Sequence, residues 1–338
     1  MSSTPLAWMT RWPVAYPRRR GPWTVTNGRR WGLLVPESGD VTTVDPSEDD
    51  ALPGLSRALR DGKLVAYRAG RRAVVATPTR YVKVVRPSRL GVLAEIHDAL
   101  GAAAHGFAVP GVTHAHADGR LELGVLTGPT LHQLIRADAD VDLRTTGRLI
   151  AAFQAARVPQ NLRPRLLDDP ARWVKIVGRA EPAVEADVAA VAATLPVVEP
   201  RSAVVVHGDL HDKNVFVSPG RPGIIDLDSV GLGAPEDDIA NLAAHLRLRA
   251  MQAGMAPAVG LRRARALRAS YPTRPGRGPL DPNRIEAVER HTWFRLACLY
   301  RFRHASRHLT PELLRLAAGL EREHQRDLAA TELARSDP

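Results

Sequence analysis

Three features of the 338-residue sequence predict an α+β fold in two lobes, an antiparallel β-sheet lobe with one helix and then a mainly helical lobe. Up to about residue 128 the chain is a series of short segments rich in Val, Thr and aromatics, cut by Gly, Pro or Asp. Such runs read as strands joined by turns. Beyond the Thr127-Gly128-Pro129 turn, apolar residues recur every three or four positions, which is the period of amphipathic helices. This helical half is interrupted by β-branched runs at 203–206 and 215–217, on either side of a dense group of polar residues.

In chain order, strands are expected at 23–26, 31–35, 41–44, 64–68, 73–77, 81–85 and 121–126. One helix breaks this series. Residues 88–100 put Leu90, Leu93, Ile96, His97 and Leu100 on one stripe, behind Pro87 and a Ser88 cap, and Gly101 ends it. Helices are expected at 131–137, 142–157, 182–195, 237–253, 283–305 and 311–333. Residues 215–217 and 223–227 read as a hairpin, and 271–282, with four prolines and two glycines, as a loop. The resulting division is a basic arm over 1–22, a sheet lobe over 23–128 and a helical lobe over 129–338.

Composition narrows the function classes. Hydrophobic residues at 44% and charged residues at 25% exclude global disorder. No apolar run approaches the roughly 18 residues of a membrane span; the best, 188–198, is cut by Thr194 and Pro196. The lone Cys298 excludes an internal disulfide or a CxxC metal knuckle, so a cytoplasmic setting is expected. Arg18-Arg19-Arg20 is followed by Gly21-Pro22-Trp23-Thr24 in place of an apolar targeting segment. The net charge of +11 is concentrated at the start, where residues 1–36 hold six arginines and no acid. A nucleic-acid partner is therefore not expected, since basic residues interleaved with aromatics occur only there.

The informative segment is 203–241. A buried strand leads to His207-Gly208-Asp209, Asn214 follows five residues on, and Asp226 lies behind Ile224-Ile225 across the hairpin. A hairpin folds a second carboxylate back beside the loop that carries the first. Two carboxylates and an amide converging in this way suit phosphoryl transfer, which needs an orienting base for an acceptor hydroxyl and oxygen ligands for Mg²⁺. A zinc shell of His207, His211 and Asp209 is the weaker alternative, because H-x-x-x-H works on a helix face and here a strand feeds His207.

His207, Gly208, Asp209, His211 and Asn214, then Asp226, then Gly233, Pro235, Asp238, Ile239 and Ala240 resemble the ordered motifs of the aminoglycoside phosphotransferase and choline kinase group. These are small-molecule kinases of protein-kinase-like fold. The resemblance covers roughly residues 60–310. It implies Asp209 as catalytic base, Asn214 and Asp226 as Mg²⁺ ligands that also hold nucleotide, His207 as support under the loop, and Asp238 as its brace. It further implies that Lys83, in an apolar strand, binds ATP phosphates, with Glu95 in the next helix orienting it. Only four of the 47 basic residues are lysines, and a compact ammonium retained in such a strand fits that role. Gly70 is the one glycine in the 67–72 turn, where the phosphate loop would lie, and is expected to contact nucleotide.

These readings imply an enzyme, a phosphotransferase with an alcohol acceptor, using ATP and Mg²⁺ on a small hydroxylated metabolite or antibiotic. The alternative is a catalytically weak pseudokinase-type binding protein of the same fold. The acceptor pocket is expected against 289–308, where Arg290, Trp293, Ala297, Tyr300 or Arg301, and His304 share a helix face. Five arginines against Glu289 there point to a neutral or anionic acceptor such as a sugar or polyol.

Overall fold

The computed structural model describes residues 6–137, 141–158, 162–218, 220–272 and 279–320. The first half carries two antiparallel sheets. In the first, β1 (Val14–Tyr16), β2 (Trp23–Thr26), β3 (Trp31–Leu34) and β4 (Val41–Val44) pair in sequence order. After α1 (Leu55–Asp61), the second is formed by β5 (Lys63–Arg68), β6 (Arg72–Ala76), β7 (Tyr81–Val85), β8 (Val112–His116) and β9 (Arg120–Leu123) in the order β5-β6-β7-β9-β8. Helix α2 (Pro87–Ala102) runs between β7 and β8, burying Leu93, Ile96, His97 and Leu100.

The second half contains α3 (Leu131–Arg136), α4 (Leu143–Gln154), α5 (Pro170–Ala180) and α6 (Glu185–Ala193). Then come β10 (Val204–Val206), the hairpin β11 (Val215–Phe216) and β12 (Gly223–Ile224), and β13 (Gly231–Gly233), which pairs antiparallel with β10. Helices α7 (Pro235–Gln252), α8 (Pro257–Ser270), α9 (Pro282–Tyr300) and α10 (Thr310–Ala317) complete it. No described helix is long and apolar enough to cross a membrane.

Several elements lie where periodicity predicted none: β1, β8, β13, α1, α5 and α8. Helix α8 buries Gly260, Ala264 and Leu267; the first two are small, so they let it approach α7 closely but leave little apolar signal. In α5 the buried Trp173, Ile176 and Val177 alternate with charged residues over only three turns. The hydrogen-bond pattern ends the last helix at Ala317, and residues 321–333 of the expected 311–333 helix lie outside the described residues, as do 273–278 of the expected loop.

The expected arm at 1–22 needs correction over its described part. Residues 6–22 pack into the body, because indole and aliphatic surface there is worth more buried than solvated. Trp8, Met9, Trp12, Ala15 and Trp23 share an apolar core with Trp173, Phe294, Phe302 and Leu313 of the helical half. The Ala15 N–H donates to the Phe302 carbonyl at 3.1 Å, and the His304 N–H to the Pro13 carbonyl at 2.8 Å. Trp23 meets Phe302 edge-on at 4.7 Å, whereas Trp31 meets Tyr67 of the other sheet edge-on at 5.3 Å. The first sheet therefore joins the second sheet to the helices.

Candidate active site

Strand β10 delivers His207-Gly208-Asp209 to the interlobe cleft, and α7 fixes that loop from below. Pro235 and three acids occupy the first turn of α7, where the helix dipole favours negative charge. One of them, Asp238, is buried and accepts the His207 N–H at 2.9 Å and the Gly208 N–H at 3.0 Å. Gly208 has φ +76°, and a Cβ there would lie 2.5 Å from the Ser229 carbonyl oxygen, so only glycine fits. The Asp209 N–H donates to His207 Nδ1, and His207 Nε2 lies 2.8 Å from the Ile225 carbonyl. The two contacts assign the imidazole proton to Nε2.

The Asp209 carboxylate stands half-exposed, 3.4 Å from Arg295 Nη1 of α9. Desolvation works to raise its pKa, but Arg295 and the imidazoles of His211, His245 and His207 outweigh this and hold it down to about 2. Asp209 is thus a carboxylate throughout the neutral range, suited to accept a hydrogen bond and weak as a base. Arg295 also donates to Asn241 Oδ1 at 2.9 Å, while the Asn241 amide donates to the Leu210 carbonyl at 2.7 Å.

The hairpin returns Asp226 beside Asn214: the Ile225 N–H donates to the Asn214 carbonyl at 3.0 Å. Asp226 has φ +62°, a costly left-handed conformation for a residue with a side chain. Its Oδ1 accepts from Lys83 Nζ at 2.8 Å and lies 3.3 Å from Arg72 Nη1. Lys83 and Arg72 also both pair with Asp228. Burial pushes the Asp226 pKa up, yet Lys83 and then Arg72 drive it well below the ordinary carboxylate range. The Asn214 amide donates to the Asp209 carbonyl at 3.2 Å, and no donor among the described residues meets its Oδ1.

The donor set fits a hard divalent cation. Asp226 and Asp228 lie beside cations, Asn214 offers an amide oxygen, and all are oxygen donors. Among the described residues no three His, Cys, Asp or Glu side chains cluster closely enough to hold a metal, so nucleotide phosphates would have to complete the coordination, as is usual for Mg²⁺.

Two of the expected nucleotide contacts are corrected. Glu95 is exposed, and no ion pair among the described residues joins it to Lys83, whose partners are Asp226 and Asp228. The reason is helix phase: with Leu93, Ile96, His97 and Leu100 inward, Glu95 falls on the solvent side of α2. Gly70 adopts φ +66°, but its N–H donates to Asp49 Oδ2 at 2.7 Å and its carbonyl accepts from Arg86 Nε at 2.6 Å. It shapes a turn and has no amide left for phosphate. Arg72, Asp228, Arg295 and Asn241 were not identified from sequence. The i, i+2 spacing of Asp226 and Asp228 was the one local signal available.

Two cavities meet at Asp209. One, of ≈ 580 Å³, lies between the lobes and is lined by Asp209, Asp226, Asp228, Arg72, Leu93 and Ile96, among others. The second, of ≈ 510 Å³, runs from Asp209 along α9 to the first sheet. The α9 residues on it are Val288, His291, Thr292, Arg295, Leu296, Leu299 and Tyr300, with Arg303 just beyond the helix. Of the residues expected to share an acceptor face, only Tyr300 lines this cavity. Trp293 and Ala297 are buried in the core, Arg301 is buried against Glu181, and Arg290 donates to the Ala317 carbonyl.

This fold is that of the protein-kinase-like phosphotransferases. The model of the APH phosphotransferase enzyme family matches residues 66–282, and the chain belongs to that family. No curated protein matches it. Similar solved structures include a choline/ethanolamine kinase family protein from Mesorhizobium loti, 16% identical over 80% of this chain and 93% of that one, with a TM-score of 0.49. Aminoglycoside phosphotransferase APH(3″)-Id from Streptomyces rimosus is 20% identical over 74% and 96%, with a TM-score of 0.47. A glucosamine kinase bound to glucosamine, ADP and inorganic phosphate is 16% identical over 90% and 94%, with a TM-score of 0.48.

Proposed function

We propose that the protein transfers the γ-phosphoryl group of ATP to a hydroxyl of a small molecule, with Mg²⁺, as an active enzyme. The reading rests on family membership and on one observation: Asp209 lines both cavities. A nucleotide on the Asp226 side and an acceptor on the α9 side would then meet at its carboxylate. Residues 23–128 supply most of the nucleotide side, and 129–338 the loop and most of the acceptor side.

Asp209 accepts the hydrogen bond of the acceptor hydroxyl and aims its oxygen at the γ-phosphorus. As the new P–O bond forms, the bond to the β-phosphate oxygen breaks, the electron pair leaves with ADP, and the hydroxyl proton passes to Asp209. A weak base suffices, because in a loose transition state the proton moves late. Lys83 and Arg72 neutralise phosphate oxygens, and Asp226, Asp228 and Asn214 would hold Mg²⁺, which supplies further charge neutralisation.

A second reading, a nucleotide-binding protein with little activity, is favoured by the exposure of Glu95 and the occupied Gly70 amide. A panel of hydroxylated metabolites and antibiotics, screened for acceptor-dependent ADP release, separates the two. The active reading expects release with some acceptor, abolished in Asp209→Asn while Mg–ATP binding stays within about twofold. Wild-type turnover in that variant would remove Asp209 from the mechanism.

A further inference from the structure

The second cavity is unusual in its charge. Its lining carboxylates are all matched: Asp209 by Arg295, Asp168 by Arg172 at 3.3 Å, and Asp237 by Arg284 at 2.9 Å. Of its lining arginines, Arg172, Arg249 and Arg295 are paired with carboxylates and the others are not. Arg18, Arg68, Arg71, Arg165 and Arg303 line the same space, and among the described residues none of the five has a carboxylate within ion-pairing distance. They come from four segments separated in sequence: the link after β1, the β5–β6 hairpin, the loop before α5, and the turn after α9. Burial, and then the charge of Arg72 and of other neighbouring arginines, lowers the pKa values of Arg68 and Arg71. The protein thus holds several like charges together without an internal counterion.

The cluster is also ordered. The Arg68 and Arg303 guanidinium carbons lie 5.1 Å and 4.6 Å from the centroid of the Tyr16 ring, which holds both groups over one aromatic platform. Arg165 reaches the Gly208 carbonyl at 3.4 Å, one residue from Asp209, and its Nε is buried without a hydrogen-bond partner. Arg18, Arg68 and Arg71 also line the nucleotide-side cavity, whereas Arg165 and Arg303 line only the acceptor side.

Resting on the phosphotransferase reading, we propose that the acceptor is an anion: a small hydroxylated compound carrying a phosphate or carboxylate that seats on Arg303, Arg68 and Arg165 and presents its hydroxyl to Asp209. Forked guanidinium donors match both oxyanions. A polycationic acceptor would face net repulsion from a wall whose carboxylates are already paired.

The test is calorimetric titration of the full chain, with and without saturating Mg²⁺ and ADP, using glucose 6-phosphate, glycerol 3-phosphate, gluconate, glucuronate, glucose, glycerol and kanamycin. At least one anionic compound is expected to bind about tenfold or more tightly than its neutral parent, with affinity falling as salt is raised. Preference between the phosphates and the acids identifies the group. Arg303→Gln and Arg165→Gln should each weaken that binding by about tenfold, while Mg–ADP affinity, set in the other cavity, holds. Equal binding of neutral parents, displacement by kanamycin, no binding by any anionic compound, or wild-type binding in both variants overturns the proposal. Mg–ADP binding, measured first and separately, tests the phosphotransferase reading on its own.

Discussion

On the helical side of the cleft, Asp238 and Asn241 hold the backbone of 207–210 through side chains rooted in one helix, α7. On the sheet side, Arg72 and Lys83 hold two carboxylates that belong to the opposite lobe. The first arrangement is internal to its lobe and keeps its geometry whatever the lobes do. The second exists only while the lobes are closed on each other. Preorganisation in this molecule is therefore unequal, with the 207–210 loop held inside one lobe and Asp226 and Asp228 held by cations of the other.

The comparison can be broken most directly at Lys83. Lys83→Met should lower phosphoryl transfer by roughly 100-fold or more, whereas Lys63→Ala and Lys175→Ala stay within about twofold. Steady-state kinetics of the three variants decides it, and equal small effects would make Lys83 an ordinary lobe contact.

A smaller effect, of opposite kind, is expected on the helical side at Asp212. This carboxylate is fully buried and accepts from Arg249 Nε at 2.8 Å and Nη2 at 3.0 Å, with His132 Nδ1 at 2.6 Å. Burial raises its pKa, but Arg249, His245 and His132 bring it to about 2, against 3.8 for the free group. A depressed carboxylate stabilises the fold fully above the unfolded pKa and loses that contribution as pH falls through the folded one. Stability worth about 2 kcal/mol should therefore disappear between pH 4 and pH 2. Asp212→Asn should cost about 3 kcal/mol at pH 7, because it leaves Arg249 buried without its counterion, and should flatten the acid limb. Denaturation curves at pH 7, 4 and 2.5 test both statements, and an unchanged acid limb would exclude Asp212 as its source.

The smallest effect is the most pointed. Glu95→Gln should change activity by no more than about twofold, the range of an exposed substitution. A loss comparable to that of Lys83→Met would mean that α2 turns inward when nucleotide binds.

These two sides also differ in what the sequence reveals. The His207-to-Asp238 segment is legible because each residue answers to a local demand: a strand end, a glycine with no room for a side chain, a helix N-terminus, a hairpin that returns Asp226 to Asn214. Glu95 and Gly70 were misassigned because spacing alone specifies neither helix phase nor the partner of a backbone amide. Asp228, Arg72 and Arg295 depend on contacts across the fold that no local pattern encodes. The same limit applies to α9, where a run of aromatic and basic residues offers several faces and only packing against α5, α7 and the first sheet selects one.

The first sheet has one more consequence, for the order of events in folding. The surfaces that bury Trp8, Trp12 and Trp23, namely Phe294, Phe302 and Leu313, lie far along the chain and are synthesised long after them. The pairing of Ala15 with Phe302 closes a loop of nearly the whole chain, the kind of distant contact that slows folding. Until α9 and α10 emerge, three indoles in an arginine-rich segment have no core to join. Completion of the second cavity, which takes Tyr16 and Arg18 from this region, accordingly waits for that pairing, and until then the segment remains sticky.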